Sequence, residues 1–364
     1  MSGRPYEIER FPIGRDATLV ELKRLIDLGF RTVAFPDNPA VVGFPSLHNE
    51  QWRPLWKMCE ENRVVLFNPG FIGMEAGQQE LAALRKKYAS RIKFPPIAEI
   101  GFCGIAIGAA MAGLRPLVDI STATFSYEAI PQIVNEAAIA YSNSGGQTNV
   151  PVVFYMKFGI RGGGGVQHSG SPQSWYWNTP GLQIVMPSTP ADAKGLMRTV
   201  LTKSEDPTIF FGHDRLLDDV GEVPDGVYEI PLGKADVKRD GKDLTIIATS
   251  IQVPRALAAA ETLAKEGISA EVVDPRTLQP LDKPALLASV KKTGRVLITD
   301  ESHDNCGVAA GLAAIIADEG FTSLRAAIKR VSIPPVPVPY AVPLEDYVTP
   351  MAGRIVEAAR TLCK

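Results

Sequence analysis

Apolar residues recur along this chain in two alternating rhythms, one suited to helices and one to buried strands. Leu19, Leu22, Leu25 and Ile26 fall at helical spacing, and residues 31–35 follow as a short strand. Residues 64–67 form a continuous apolar run of the buried-strand kind, and 75–88 read as helix. Residues 101–113 predict a helix so rich in glycine and alanine that a neighbouring backbone can come close. Strands are expected at 152–155 and 184–186, then a helix over 191–201 with Ser188 or Thr189 as its cap. The rhythm stops at 212–234, where Gly, Pro and Asp gather without period, as in a linker. It restarts with strands at 244–248, 270–273 and 296–299, alternating with helices at 254–265, 283–291 and 308–318. Residues 331–343 are Pro-rich and read as a surface crossing.

This alternation predicts an α/β fold of two parallel-sheet domains with helices on both faces. The expected division is an atypical N-terminal segment (1–62), a first domain (63–211), a linker (212–234) and a second domain (235–364). At 364 residues, 45% apolar and 21% charged, the chain can bury two ordinary cores. A net charge of −2 with acids and bases intermixed offers no basic footprint for nucleic acid. Apolar runs such as 108–114 are too short to cross a bilayer. The first ten residues show neither the apolar core of a signal peptide nor the acid-poor character of a transit peptide. Cys59, Cys103, Cys306 and Cys363 form no CxxC pair, so reduced thiols in a cytoplasmic setting are expected.

Candidate chemistry is sparse. His48, His168, His213 and His303 make no HxH or HExxH pattern, so a metal hydrolase lacks support. There is no GxSxG elbow and no phosphate-binding Gly-Lys-Ser/Thr. Two stretches stand out. In Phe94-Pro95-Pro96-Ile97-Ala98-Glu99-Ile100-Gly101-Phe102 a single carboxylate sits among apolar neighbours at a helix start. Glu99 is then either an acid favoured by the helix dipole or a desolvated carboxyl with a raised pKa, placed to meet a ligand ring nitrogen. The second stretch runs from Arg161 through four glycines to His168 and follows an expected strand. It is either a loose surface loop or a site loop at a strand end, where open α/β sheets bind ligands. His168 would then be an acid/base or orienting group.

Together these segments resemble the β subunit of the decarboxylating component of 2-oxo acid dehydrogenase complexes, the family of the pyruvate, branched-chain and acetoin enzymes. Matching runs are Ile97-Ala98-Glu99-Ile100-Gly101-Phe102, then 108–116, 124–126, 144–146, 166–169, 180–182, 185–188 and 192–196. They continue in the second domain at 230–235 and 271–282, so that about four-fifths of the chain is covered in the expected order. The resemblance implies a thiamine pyrimidine-binding domain followed by a transketolase C-terminal-like domain. It implies thiamine diphosphate-dependent decarboxylation of a 2-oxo acid, pyruvate-like, with acyl transfer to lipoamide. Glu99 matches the glutamate that hydrogen-bonds the aminopyrimidine ring and shares a proton with it. Phe125 matches the aromatic residue packed on that ring, Ile97 lies beside them as a further cofactor contact, and His168 matches a histidine near the reacting centre. Phe158, Ile160, Trp175 and Tyr176 are expected along the route to the site. The Gly-Asp-Gly motif that holds the diphosphate and Mg²⁺ in related enzymes is absent from the chain. The resemblance therefore implies an α subunit that supplies it, an α₂β₂ assembly, and a lipoyl acyltransferase core as a further partner.

The N-terminal sixty residues depart from the family. Residues 27–39 and 45–52 resemble a fragment of an amidohydrolase-type barrel without its His-x-His, and one strand–helix–strand piece cannot close a barrel. This segment is expected to pack on the pyrimidine-binding domain. Asn68-Pro69-Gly70 stands where the family carries Gly-Glu-Asp, which opens a second reading, a catalytically silent scaffold that keeps the partner interface. A stand-alone synthase of the transketolase kind ranks below both, because it needs a diphosphate-binding domain.

Overall fold

The computed structural model describes residues 15–27, 32–34, 53–61, 65–67, 87–88, 91–93 and 95–364. The chain divides into two compact units, 1–94 and 95–364. In the first, helix α1 (Arg15–Asp27) precedes strand β1 (Thr32–Ala34), and helix α2 (Arg53–Glu61) precedes strand β2 (Val65–Phe67). Leu22 and Ile26, one turn apart, form the buried side of α1, which packs on α2. β1 and β2 pair in parallel, Thr32 opposite Val65, and a parallel pair needs the crossover that α2 occupies. The helix expected at 75–88 lies almost wholly outside the described residues. So do Asn68-Pro69-Gly70, His48 and the rest of 35–52.

The second unit holds two five-stranded sheets. The first contains β3 (Leu117–Thr122), β4 (Val153–Phe158), β5 (Gln183–Val185), β6 (Thr208–His213) and β10 (Thr277–Gln279), in the order β10-β5-β6-β4-β3. The second contains β7 (Asp236–Arg239), β8 (Leu244–Ala248), β9 (Ala270–Asp274), β11 (Val296–His303) and β12 (Lys329–Ile333), in the order β12-β11-β8-β9-β7. Each sheet is parallel except for one antiparallel edge, β10 in the first and β7 in the second. β6 and β8 are buried at every position, as parallel strands covered on both faces must be. β3, at an edge, alternates between exposed and buried residues.

The longer α-helices over these sheets are α3 (Glu99–Met111), α4 (Pro190–Thr202), α5 (Gln252–Lys265), α6 (Lys283–Thr293), α7 (Val308–Glu319), α8 (Val342–Val348) and α9 (Ala352–Cys363). α5 packs on α9, burying Ala256, Ala260 and Leu263 against Ile355 and Ala359 over β8 and β9. Leu286 and Val290 of α6 and Leu312 and Ile316 of α7 join the same apolar cluster as Phe154, Ile184 and Phe211 of the first sheet. One core therefore runs from sheet to sheet. α4 starts as its sequence predicts: Thr189 Oγ1 accepts from Asp192 N–H at 3.1 Å, and Pro190 occupies the first turn.

A second junction is polar. β10 comes from beyond the linker, yet it pairs with β5, Thr277 opposite Val185. Beside it Ser188 Oγ donates to Asp274 Oδ2 at 2.5 Å, and Asp192 takes Lys238 Nζ at 2.7 Å and Arg276 Nε at 2.8 Å. The conspicuous Asp274-Pro275-Arg276-Thr277 run thus binds the two domains together. One expectation is corrected here. Residues 331–343 are not a mere surface crossing: 331–333 end β12, which pairs in parallel with β11, and Val331, Ser332, Ile333 and Val338 are buried. The prolines begin only at Pro334, past the end of an edge strand, where a missing N–H costs no ladder bond.

Candidate active site

Glu99 opens α3. Ala98 provides no side-chain cap, so the carboxylate in the first turn complements the free N–H groups there. The residues one, two and three turns on, Cys103, Ile107 and Ala110, form the buried face of the helix. Burial, and then the Glu99 charge, pushes the Cys103 thiol up to about 12. Glu99 is half-buried in the single chain. It is a helix-start acid, one turn before the buried Cys103. α3 packs on the 3₁₀ segment Ala123–Ala129 that follows β3 and carries Phe125. Ile97, in the bend before the helix, is 73% exposed.

Phe125 lies half-buried against the first sheet's core and meets His168 edge-on, ring centroids 5.4 Å apart at 79°. His168 ends the one-turn helix Gly165–His168. Burial, then the positive charge of Arg161, holds its pKa below 6.5, so the imidazole is neutral at neutral pH. Thr124 Oγ1 donates to the Gln167 carbonyl and Arg161 Nη2 to Thr122 Oγ1 at 3.1 Å, tying this turn to the Phe125 segment. The structure thus brings Glu99, Phe125 and His168 to one group of packed elements at the carboxyl end of β3 and β4, where open α/β sheets bind ligands.

The glycine run is not a loose loop. Gly162, Gly163 and Gly165 all take positive φ, and a Cβ on Gly165 would lie 2.7 Å from the Tyr340 ring. Ile160 N–H donates to Glu301 Oε1 at 2.6 Å, Gly163 N–H to Glu345 Oε2 at 2.7 Å, and Gly159 N–H to the Gly170 carbonyl. Glu301, 1% exposed, also meets His213 Nε2 at 2.9 Å and Arg255 Nη1 at 2.6 Å. Burial alone would raise its carboxyl. His213, Arg255 and the Ile160 N–H outweigh that and hold it at about 2. A Cβ at Gly159 would collide with this pair, 2.1 Å from His213 Nε2.

Of the four residues expected along the route to the site, Phe158, Ile160 and Tyr176 are instead core residues. Phe158 and Tyr176 join the first sheet's apolar core, Ile160 packs with Ile333, Val338 and Val348, and Tyr176 Oη donates to Ser126 Oγ at 2.6 Å. Only Trp175 is exposed, at 61%, stacked on Tyr127 with centroids 5.1 Å apart. Exposed apolar side chains gather on the elements that carry the site: Ile97, Ile100 and Ile105 around α3, Val166 beside His168, and Trp175. Sequence reasoning missed Glu301, His213, Arg255 and Glu345. An acid pair ending the apolar strand Val296–His303 was the available signal for the first of these.

The family model described as "Transketolase, pyrimidine binding domain" matches residues 75–219, and "Transketolase, C-terminal domain" matches 233–355. The acetoin:2,6-dichlorophenolindophenol oxidoreductase subunit beta of Cupriavidus necator is 41% identical over 295 residues, 81% of this chain and 85% of that one. The 2-oxoisovalerate dehydrogenase subunit beta of Bacillus subtilis is 42% identical over 312 residues, 85% of this chain and 95% of that one. The chain belongs to the β-subunit family of the 2-oxo acid and acetoin dehydrogenases. This β subunit is also 41% identical to the mitochondrial pyruvate dehydrogenase E1 component subunit beta of Pisum sativum over 317 residues, 84% of this chain and 87% of that one. A solved structure titled "Split gene transketolase, inactive beta4 tetramer" superimposes with a TM-score of 0.66 at 21% identity. It covers 95% of this β subunit and 97% of that chain, a likeness of fold.

Proposed function

We propose that this β subunit serves the thiamine diphosphate-dependent oxidative decarboxylation of a pyruvate-like 2-oxo acid, with acyl transfer to lipoamide, in a site completed by an α subunit. The observation that carries the reading is Glu99 in the first turn of α3, a helix packed against the segment that holds Phe125 and, edge-on to it, His168. A carboxylate and an aromatic ring so grouped suit the aminopyrimidine half of the cofactor. Among the described residues no group of three or more His, Cys, Asp or Glu could hold a metal ion. The sequence also lacks Gly-Asp-Gly, so the diphosphate and its Mg²⁺ are assigned to the α subunit, in an α₂β₂ assembly that meets a lipoyl acyltransferase core. The exposed Ile97, Ile100, Val166 and Trp175 would be covered by that partner.

When bound, thiamine diphosphate supplies the electron sink for decarboxylation. The chain's own residues orient it and manage protons. Glu99 shares a proton with the pyrimidine ring nitrogen, and docking of the partner removes the water that now reaches this half-buried carboxylate. Phe125 fixes the plane of the ring. His168, neutral at neutral pH, can accept a proton at the reacting end and return it during acyl transfer.

The test is purification of the chain with whatever it binds in its host, followed by native mass measurement and peptide identification. A co-purifying chain bearing Gly-Asp-Gly, and 2-oxo acid-dependent reduction of an artificial electron acceptor, are expected. Asn68-Pro69-Gly70 favours one other reading, the silent scaffold. A solitary homodimer that binds no thiamine diphosphate would establish that reading instead.

A further inference from the structure

Two buried carboxylates of the second domain reach across to the backbone of the first, and both land on the loop that leads to His168. Glu301 stands in β11 and accepts from Ile160 N–H; Glu345 stands in α8 and accepts from Gly163 N–H. Both side chains are buried, 1% and 0% exposed. The Tyr340 ring lies over Gly165, the first residue of the turn that ends at His168. Ile160 itself packs with Ile333, Val338 and Val348, all from the second domain. Three loop positions, 160, 163 and 165, are therefore held by residues more than 130 positions later in the chain.

A run of four glycines has the largest conformational entropy to lose, and positive φ at three of its positions keeps stiffer residues out. Such a segment keeps one shape only if something outside it supplies hydrogen bonds and contacts. In this chain the second domain supplies them. The geometry assigns Glu345 and Tyr340 as positioning residues: through Gly163 and Gly165 they fix the loop that presents His168 to the site. This rests on the reading of His168 given above. The second domain then shapes the active centre as well as meeting partner chains.

The experiment uses the enzyme assembled with its α partner. It compares Glu345→Ala, Glu345→Gln, Tyr340→Ala, His168→Ala and the double variant Glu345→Ala/His168→Ala. Loop order is read from the rate of tryptic cleavage after Arg161, followed by mass spectrometry, and function from kcat and KM of acyl transfer to a lipoyl domain. Glu345→Ala should raise cleavage at Arg161 about tenfold or more and lower kcat by 10- to 100-fold, the order a displacement near 1 Å costs, with KM little changed. Glu345→Gln, which keeps an oxygen for Gly163 N–H, should restore both readouts. The double variant should be no worse than His168→Ala.

If Glu345→Ala fails to fold, Tyr340→Ala decides. Tyr340 is 76% exposed, so its removal leaves no core cavity, and it should show the same paired changes at smaller size. Wild-type cleavage at Arg161, unchanged kcat in a loosened loop, a Gln variant as damaged as Ala, or losses that add to those of His168→Ala would each overturn the assignment. Normal turnover by His168→Ala alone would instead remove the role given to His168, and the cleavage rates would still decide whether Glu345 holds the loop.

Discussion

Replacing Glu301 by Gln separates charge from shape in the pair that joins the two domains. The amide oxygen can still accept from Ile160 N–H and His213, but the other atom becomes a donor facing Arg255, whose guanidinium is only 11% exposed. Removing one partner of a buried ion pair costs about 3–5 kcal/mol. An independent route agrees. The carboxyl falls from 4.5 to about 2 on folding, a difference of about 2.5, and at 1.36 kcal/mol per pKa unit this is about 3 kcal/mol. Because the folded pKa is the lower one, this stabilisation is complete well above pH 4.5 and is lost as pH falls toward 2. Chemical denaturation followed by circular dichroism should show the variant less stable by about 3 kcal/mol at pH 7. The gap should fall below half that size near pH 3. A gap under about 1 kcal/mol at pH 7, or one that does not narrow on acidification, would refute the reasoning.

Glu99→Gln should leave assembly with the partner intact and lower decarboxylation by a factor of about 10² or more, measured with an artificial electron acceptor. The acid limb of the acyl-transfer rate should lie below pH 6.5, since burial and Arg161 both disfavour protonated His168. Arg161→Gln removes the second of these causes and should move that limb to higher pH in a pH–rate profile. Thr189→Ala deletes the α4 cap and the hydroxyl that donates to Asp192 Oδ2 at 2.7 Å, which should cost about 1–2 kcal/mol in a denaturant titration.

The strands β8, β9 and β11 were legible because parallel strands buried on both faces keep short apolar runs, Ile246-Ile247-Ala248, Val272-Val273 and Val296-Leu297-Ile298. Edge strands β3, β7 and β12 were not, since half of their positions face water and break the run. β10 has three residues between Pro275 and Pro280, and only its partner β5 makes it a strand. Among site residues Glu99 announced itself as a lone acid in an apolar stretch, and the structure added its place in the first turn of α3, which packs on the Phe125 segment. Phe158 and Tyr176 were misplaced because an aromatic residue near a loop reads the same whether it faces a ligand or a core. Glu301 offered only an acid pair in an apolar strand and Glu345 no signal, because their partners are backbone N–H groups 141 and 182 positions away.

The borrowed edge strand bears on how such chains can be recombined. A hybrid joined in the exposed stretch after Leu216 would look, on paper, like an exchange of whole domains. It would in fact carry β10 as a foreign strand into the resident sheet, together with an Asp274 and Arg276 that must find Ser188 and Asp192. The border in sequence is not a border in space. What can be inherited intact is the 95–364 body as a whole, and second domains are interchangeable only between chains whose 183–192 and 274–279 segments fit each other.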